Sequence, residues 1–309
     1  MILQRTIKNK LTISGIGLHS GHRINLKLRP AEANTGIVFH RIDCNPTVSI
    51  KATSDNVVDT RMATVLGCHG TTVSTVEHFM AALAAFGIDN LHVDIDGPEV
   101  PVLDGSAVPF IREIQQVGIK SLALSRKFIA IRKPLEIIEG EKRISIIPSR
   151  FFRITFDIAF DHPAISVQQH SMKFSTENFC KEIAPARTFG FLHEVEYLKA
   201  NGLARGGSLE NAVVIDHDGV MNPEGLRFPD EFVRHKILDA FGDFSLIGYP
   251  LLGHIRAFKA GHDLNAKMVQ TILDNPSHWT YVEFSEHALR EARRANVGSF
   301  SIDLAWSKA

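Results

Sequence analysis

The segment STVEHFMAALAAFG, residues 74–87, is apolar around nearly its whole circumference, yet an acid and an imidazole, Glu77 and His78, stand side by side near its start. A helix of this pattern is buried on most sides and ends at Gly87. Burying an ionisable pair costs several kcal/mol unless partners or a metal compensate it. The rest of the chain must therefore bring polar groups to this helix. Ser74-Thr75-Val76-Glu77 also matches a capping box, in which the glutamate reaches back to the N-cap amide. That reading occupies Glu77 and leaves His78 unexplained.

A second segment, VRHKILDAFGD at 233–243, supplies candidates. Advancing about 100° per residue, His235, Asp239, Asp243 and Lys236 fall within about 100° of arc, while Val233, Ile237, Leu238, Phe241 and Phe244 take the other side. The bland alternative is a solvated face with a His–Asp i,i+4 pair. If His78 meets His235 and Asp239, two imidazoles and a carboxylate converge with one position open for water, a catalytic zinc composition. Zinc lowers the pKa of a bound water to about 7, and Glu77, next to a ligand, suits a general base. HExxH is excluded because residue 81 is Ala. Iron accepts the same ligands, so spacing alone leaves the metal open. His262, in AGH after a strand and before a helix, is a further candidate acid or oxyanion partner whose charge a carboxylate such as Asp243 would favour. The competing reading is a solvent-facing histidine at a helix start. GIGLHSGH at 15–22 reads as a strand-connecting turn rather than a phosphate loop.

At 309 residues the chain is long for one core, which predicts two domains. RINLKLRP, GIVFHRI, TVSIKAT and LHVDIDG read as strands, and AVPFIREIQQVG as a second helix. GIKSLALSR is the expected linker, placing a boundary near 125 and dividing the chain into 1–125 and 126–309. Beyond it KFIAIRKPLEI, KRISIIPS, FRITFDIAF and AVVIDHDG read as strands, with helices at about 176–184, 230–247 and 263–274. Strands and helices do not alternate strictly, which favours an α+β class with helices segregated to one face of each sheet. HEVEYLKANGLARGGSLEN reads as a short helix and a glycine-rich loop inserted between strands, where sites are often lined.

Lys plus Arg and Asp plus Glu both number 34, so no basic field exists to hold nucleic acid. Cys44, Cys68 and Cys180 form no CxxC pair and suit a reducing cytoplasm. Arg5, Lys8 and Lys10 interrupt the apolar run an export signal needs, and FMAALAAFGI is about half the length of a membrane span.

Taken together, GIGLHSG (15–21), TVEH (75–78), DIDGPEVPVLDGSAVPF (94–110), ARTFGF (186–191), GLRFPDEFVRHKILDAFGD (225–243) and AGH (260–262) closely resemble one family, the bacterial UDP-3-O-acyl-N-acetylglucosamine deacetylases of lipid A synthesis. The resemblance runs to about residue 274. It implies two similar two-layer α/β sandwich domains with the active site between them. It also implies zinc-dependent hydrolysis of the N-acetyl group of an acylated UDP-sugar, with Zn2+ on His78, His235 and Asp239. Glu77 would take a proton from the attacking water. His262, held by Asp243, would stabilise the oxyanion or protonate the leaving amine, and Thr188 would hydrogen-bond the tetrahedral intermediate. Lys236, Phe189, Phe191 and Leu18 would contact substrate, and an insert at about 190–215, with Phe191, Leu198 and Leu203, would pass the acyl chain. The substrate is amphiphilic and no amphipathic anchor is evident, so the expectation is a cytoplasmic monomer peripheral at most to the inner membrane. In the family the C-terminus can serve as a handle for regulated proteolysis, and the charged middle of SEHALREARRANVGSFSIDLAWSKA (285–309) departs from that pattern. Two rivals make different demands. A zinc peptidase or other metal amidohydrolase would ignore the UDP-sugar, and a non-catalytic sugar-nucleotide binder would need a fourth protein ligand.

Overall fold

Period-two burial draws the first sheet straight from the sequence. Arg23–Pro30 buries Ile24, Leu26 and Leu28 on one face and turns Arg23, Asn25, Lys27 and Arg29 to the other. In the computed structural model, which describes residues 1–284, this strand lies in a five-stranded sheet. The order is Leu11–Ile16, Arg23–Pro30, Leu91–Ile95, Ile37–Arg41, Val48–Lys51. The sheet is mixed, because Leu91–Ile95 runs antiparallel to Arg23–Pro30 and parallel to Ile37–Arg41. A seven-stranded sheet follows, organised on Leu251–Phe258, which pairs with Lys142–Ile147, Phe152–Ala159 and Phe128–Ile131. Leu135–Glu139, Val167–Lys173 and Trp279–Val282 complete it. With its helices packed against these sheets the class is α+β, as the sequence pattern implies. The tail at 285–309, with its charged piece and apolar end, lies outside the described residues.

Two segments differ from the sequence reading. GIKSLALSR is not a free linker: Ile119–Ser125 is a strand paired antiparallel with Leu3–Ile7. The ladder with Leu3–Ile7, with Leu122 buried at its middle, outweighs the breaker signal of Gly118, which instead ends the preceding helix at φ +77°. KFIAIRKPLEI is two strands, Phe128–Ile131 and Leu135–Glu139, parted at Pro134, which has no N–H to give a ladder.

The Glu77–Ala85 helix buries every residue but Ala84, and its alanines favour the helical state. It closes where Gly87 turns at φ +64° and Ile88 donates to the Leu83 carbonyl. Phe79 meets Phe39 of the first sheet and Phe110 of the Val108–Val117 helix. On another side it packs against the Glu231–Ser245 helix, which itself rests on Phe152–Ala159 and Val167–Lys173. The two backbones come so close that a Cβ on Gly242 would overlap the Glu77 carbonyl. No helix among the described residues is long and apolar enough to cross a membrane.

Because the obstacle at Gly242 is backbone rather than a flexible side chain, Gly242→Ala must push the two helices apart. The expected loss is about 1–3 kcal/mol or more, read as a lower urea midpoint at unchanged slope. Gly140→Ala, where nothing lies within 4 Å of the added carbon, should show no overlap penalty and only the smaller cost of its positive φ.

Candidate metal centre

The chain enters the Glu77–Ala85 helix through a strained residue. Thr75 sits at φ +57°, a region that costs a β-branched side chain about 1–3 kcal/mol. Its surroundings fix it there. Ser74 donates its N–H to the Pro98 carbonyl and accepts from the Val100 N–H, and the Thr75 hydroxyl donates to Glu99 Oε1 at 3.2 Å. Glu99 in turn accepts the backbone N–H groups of His19 and Ser20 in the GIGLHSGH turn. The capping box does not form. The helix starts at Glu77 with Val76 as its uncapped N-cap residue, so Glu77 sits in the first position rather than the third. The Glu77 carboxylate instead accepts the Thr64 N–H at Oε2, 3.1 Å, and Ser74 Oγ bonds the Pro98 carbonyl.

His78 and the other helix then meet. His78 Nε2 lies 3.3 Å from Asp239 Oδ1, and His235 Nε2 lies 3.2 Å from the same oxygen. All three residues are buried, so the solvated-face reading of the Glu231–Ser245 helix is wrong: that helix is covered on its polar side too. His235 Nδ1 must donate, because its partner is the Ala186 carbonyl at 3.1 Å. Burial moreover lowers the His235 pKa to about 3, so its Nε2 carries a lone pair. Burial also opposes ionisation of Asp239, but its neighbours His235 and Lys236 outweigh it and hold the acid well below its ordinary value. A carboxylate oxygen with no hydrogen-bond donor thus faces an imidazole lone pair in a dry setting. A cation held between them would relieve that repulsion. Ligand distances of about 2.0–2.2 Å around a tetrahedral zinc put neighbouring ligand atoms about 3.3–3.5 Å apart, close to the separations seen. A second group of ligating side chains, Asp216, His217 and Asp218, lies on a turn where Asp216 Oδ1 is already taken by the N–H groups of Asp218 and Gly219.

Glu77 and His262 face one another beside this group. His262 Nε2 lies 3.9 Å from Glu77 Oε1 and 4.0 Å from Asp239 Oδ2, while its Nδ1 donates to Asp243 Oδ2 at 2.9 Å. Burial alone would lower the His262 pKa, but the Asp243 charge and hydrogen bond, with Glu77 behind them, raise it to about 9. The Glu77 pKa is raised chiefly by burial. Lys236 Nζ donates to Asp239 Oδ2 at 3.0 Å and stands 5.8 Å from the centre of the Phe189 ring. Two contributors carried no sequence signal of their own. Thr64 bonds both Glu77 and Asp243, and Asn265, one turn after His262, donates to Asp243 Oδ2. The His/Asp set is therefore joined to Glu77, His262, Asp243 and Lys236 in one cluster.

The remaining candidates stand around it. Phe189 packs on Phe232 and lies 6.3 Å, ring to ring, from His235. Thr188 is fixed through its backbone to Gly105 and Val213. Phe191 meets Phe160 and His162 farther along, and the Leu18 carbonyl accepts the Gly206 N–H, so these two line the insert rather than the His/Asp set. The insert is bracketed by a parallel pair, Phe189–Phe191 with Val213–Ile215. Its helix, Leu192–Ala200, buries no residue, and Tyr197 and Leu203 are exposed. Arg187, noticed in sequence only as part of a motif, anchors this side. Its buried guanidinium bonds Glu231, Glu224 and the Gly225 carbonyl.

Comparison with known proteins adds an independent line. The profile of the family described as UDP-3-O-acyl N-acetylglycosamine deacetylase matches residues 4–274. The UDP-3-O-acyl-N-acetylglucosamine deacetylase of Syntrophotalea carbinolica is 65% identical over 288 residues, covering 93% of each chain. The enzyme of the same name from Geobacter sp. strain M21 is 54% identical over 309 residues, all of both chains. That from Myxococcus xanthus is 53% identical over 279 residues, 90% of this chain and 89% of its own.

Arg187 and Glu231 are almost wholly buried, at 2% and 0% exposure. Arg187→Ala therefore strands a carboxylate in the core and should cost about 3–5 kcal/mol in a urea titration. Arg61→Ala, at an exposed pair with Asp59, should cost about 1 kcal/mol or less.

Proposed function

The chain belongs to the UDP-3-O-acyl-N-acetylglucosamine deacetylase family, an enzyme family of lipid A biosynthesis, and from that premise we propose how its residues hydrolyse the N-acetyl group of an acylated UDP-N-acetylglucosamine to release acetate. The observation that carries the proposal is Asp239 Oδ1 set between two imidazole nitrogens at 3.2 and 3.3 Å, with Glu77 and His262 facing each other alongside. Zn2+ held by His78, His235 and Asp239 would lower the pKa of water to about 7 and polarise the acetamide carbonyl.

Glu77 is the general base. Its Oε2 is tied to the Thr64 N–H, which leaves Oε1 to receive the proton of the attacking water. His262 is the acid: charged below about pH 9 and fixed at Nδ1 by Asp243, it presents Nε2 to the oxyanion or the departing amine. Thr188 donates a hydrogen bond to the tetrahedral intermediate. Lys236, Phe189, Phe191 and Leu18 bind the substrate's polar and apolar parts, and the insert at about 190–215 guides the acyl chain; the exposed Tyr197 and Leu203 support an apolar lining there. The same reading divides the chain into domains at 1–125 and 126–309. The antiparallel return of Ile119–Ser125 onto Leu3–Ile7, followed at Phe128 by the start of the seven-stranded sheet, supports that division. It also takes the protein as a cytoplasmic monomer: three free cysteines suit a reducing compartment, and one chain supplies every residue named.

The test is acetate release from the acylated UDP-amino sugar, with zinc content measured on the same sample. Glu77→Ala and His262→Ala should each lose at least 10²- to 10³-fold in kcat, an order typical of one well-placed group, while still folding. Near-normal turnover by metal-loaded Glu77→Ala would remove it as the base, and no acetate release from the zinc-loaded parent would end the proposal. The Asp243 carboxylate raises the His262 pKa, and activity needs His262 charged. Asp243→Asn should therefore shift the alkaline limb of kcat to lower pH.

A further inference from the structure

Thr64 lies between the two halves of this chemistry, in a stretch, RMATVLG, that matches no catalytic pattern. It is 1% exposed. Its backbone N–H holds Glu77 Oε2 at 3.1 Å and its hydroxyl donates to Asp243 Oδ1 at 2.5 Å. The hydroxyl is also 3.3 Å from His262 Nδ1, but that nitrogen's proton points to Asp243 Oδ2. Oδ2 takes the donors from His262 and Asn265. Oδ1 takes Thr64.

Building on the function proposed above, we propose that Thr64 is a positioning residue that sets the spacing between the base Glu77 and the acid His262. One residue grips both carboxylates, by main chain on one side and side chain on the other. It thereby joins the start of the Glu77–Ala85 helix to the dyad of Asp243 and His262, and Glu77 Oε1 and His262 Nε2 stand 3.9 Å apart. A β-branched side chain suits the task because its χ1 is stiff. Without the hydroxyl, Asp243 Oδ1 loses its donor and the carboxylate can rotate, releasing the orientation of the His262 ring. A cavity of about 300 Å³ reaches Thr64 and Asp243 from the side of Ser54, Val57 and Gln270.

Thr64→Val keeps the shape and the N–H and removes only the hydroxyl; Thr64→Ser keeps the hydroxyl. In the zinc-loaded, full-length enzyme, Thr64→Val should retain its metal and its KM while kcat falls about 10- to 100-fold, the range for groups that orient a metal site's residues. Thr64→Ser should recover most of that loss. The downfield proton resonance of His262 Nδ1–H, recorded without substrate, should shift or broaden in Thr64→Val and return in Thr64→Ser. Should Thr64→Val fail to fold, Thr64→Ala is compared with Thr64→Ser in the same measurements. A kcat within twofold of the parent, an unmoved resonance, or a serine variant as poor as the valine one would overturn the assignment. A parent enzyme that released no acetate would count against the function proposed above, and the resonance would still decide the role of Thr64.

Discussion

A buried carboxylate oxygen facing an imidazole lone pair is repulsive unless a cation or a proton stands between them. Asp239 Oδ1 and His235 Nε2 are held in it by the helix that carries both and by the Ala186 carbonyl, which fixes the tautomer of the ring. Much of the surrounding structure follows from maintaining that arrangement. The strained turn at Thr75 delivers His78 to the third corner, and Glu99 holds that turn by its contacts with Thr75, His19 and Ser20. Arg187 secures the segment bearing Ala186 to the first turn of the Glu231–Ser245 helix, which carries His235 and Asp239. The stability given up in burying these charges is offset by the apolar packing of both helices.

Under the proposed function the base and the acid need different settings, and the cluster provides them by neighbours rather than by residue type. Burial favours the neutral form of Glu77, whose Oε2 accepts one backbone N–H. His262 is slightly less buried and rests on Asp243, which favours its charged form. Burial pushes both carboxyl and imidazole toward neutrality, and the added carboxylate reverses the outcome for the imidazole alone.

The i,i+4 spacing of His235 and Asp239 and the ionisable pair in an apolar helix made most of the cluster legible in sequence, because both are periodic features of single helices. Asp243 as the partner of His262 followed from charge. What escaped was everything set by chain crossings. Gly242 reads as a weak helix residue, and only the approach of the Glu77 carbonyl explains it. Thr64 lies on no periodic element, so nothing local distinguishes its hydroxyl from those of other threonines. The capping box at Ser74–Glu77 matched in letters but not in helix position, since the strained turn delays the helix start. GIKSLALSR shows the same limit: a strand whose partner lies more than a hundred residues earlier resembles a linker when read locally.

The insert is anchored at both roots by three parallel pairings, Phe189 to Val213, Gly190 to Val214 and Phe191 to Ile215, while its helix contributes nothing to the core. Closing a longer loop between fixed roots adds only about 0.6 kcal/mol per doubling of length. The Leu192–Ala200 helix between those roots is thus an exchangeable cassette. Under the proposed function, evolution or a protein engineer could retailor which hydrocarbon tail that helix accommodates without touching Glu77, His262 or the His/Asp set.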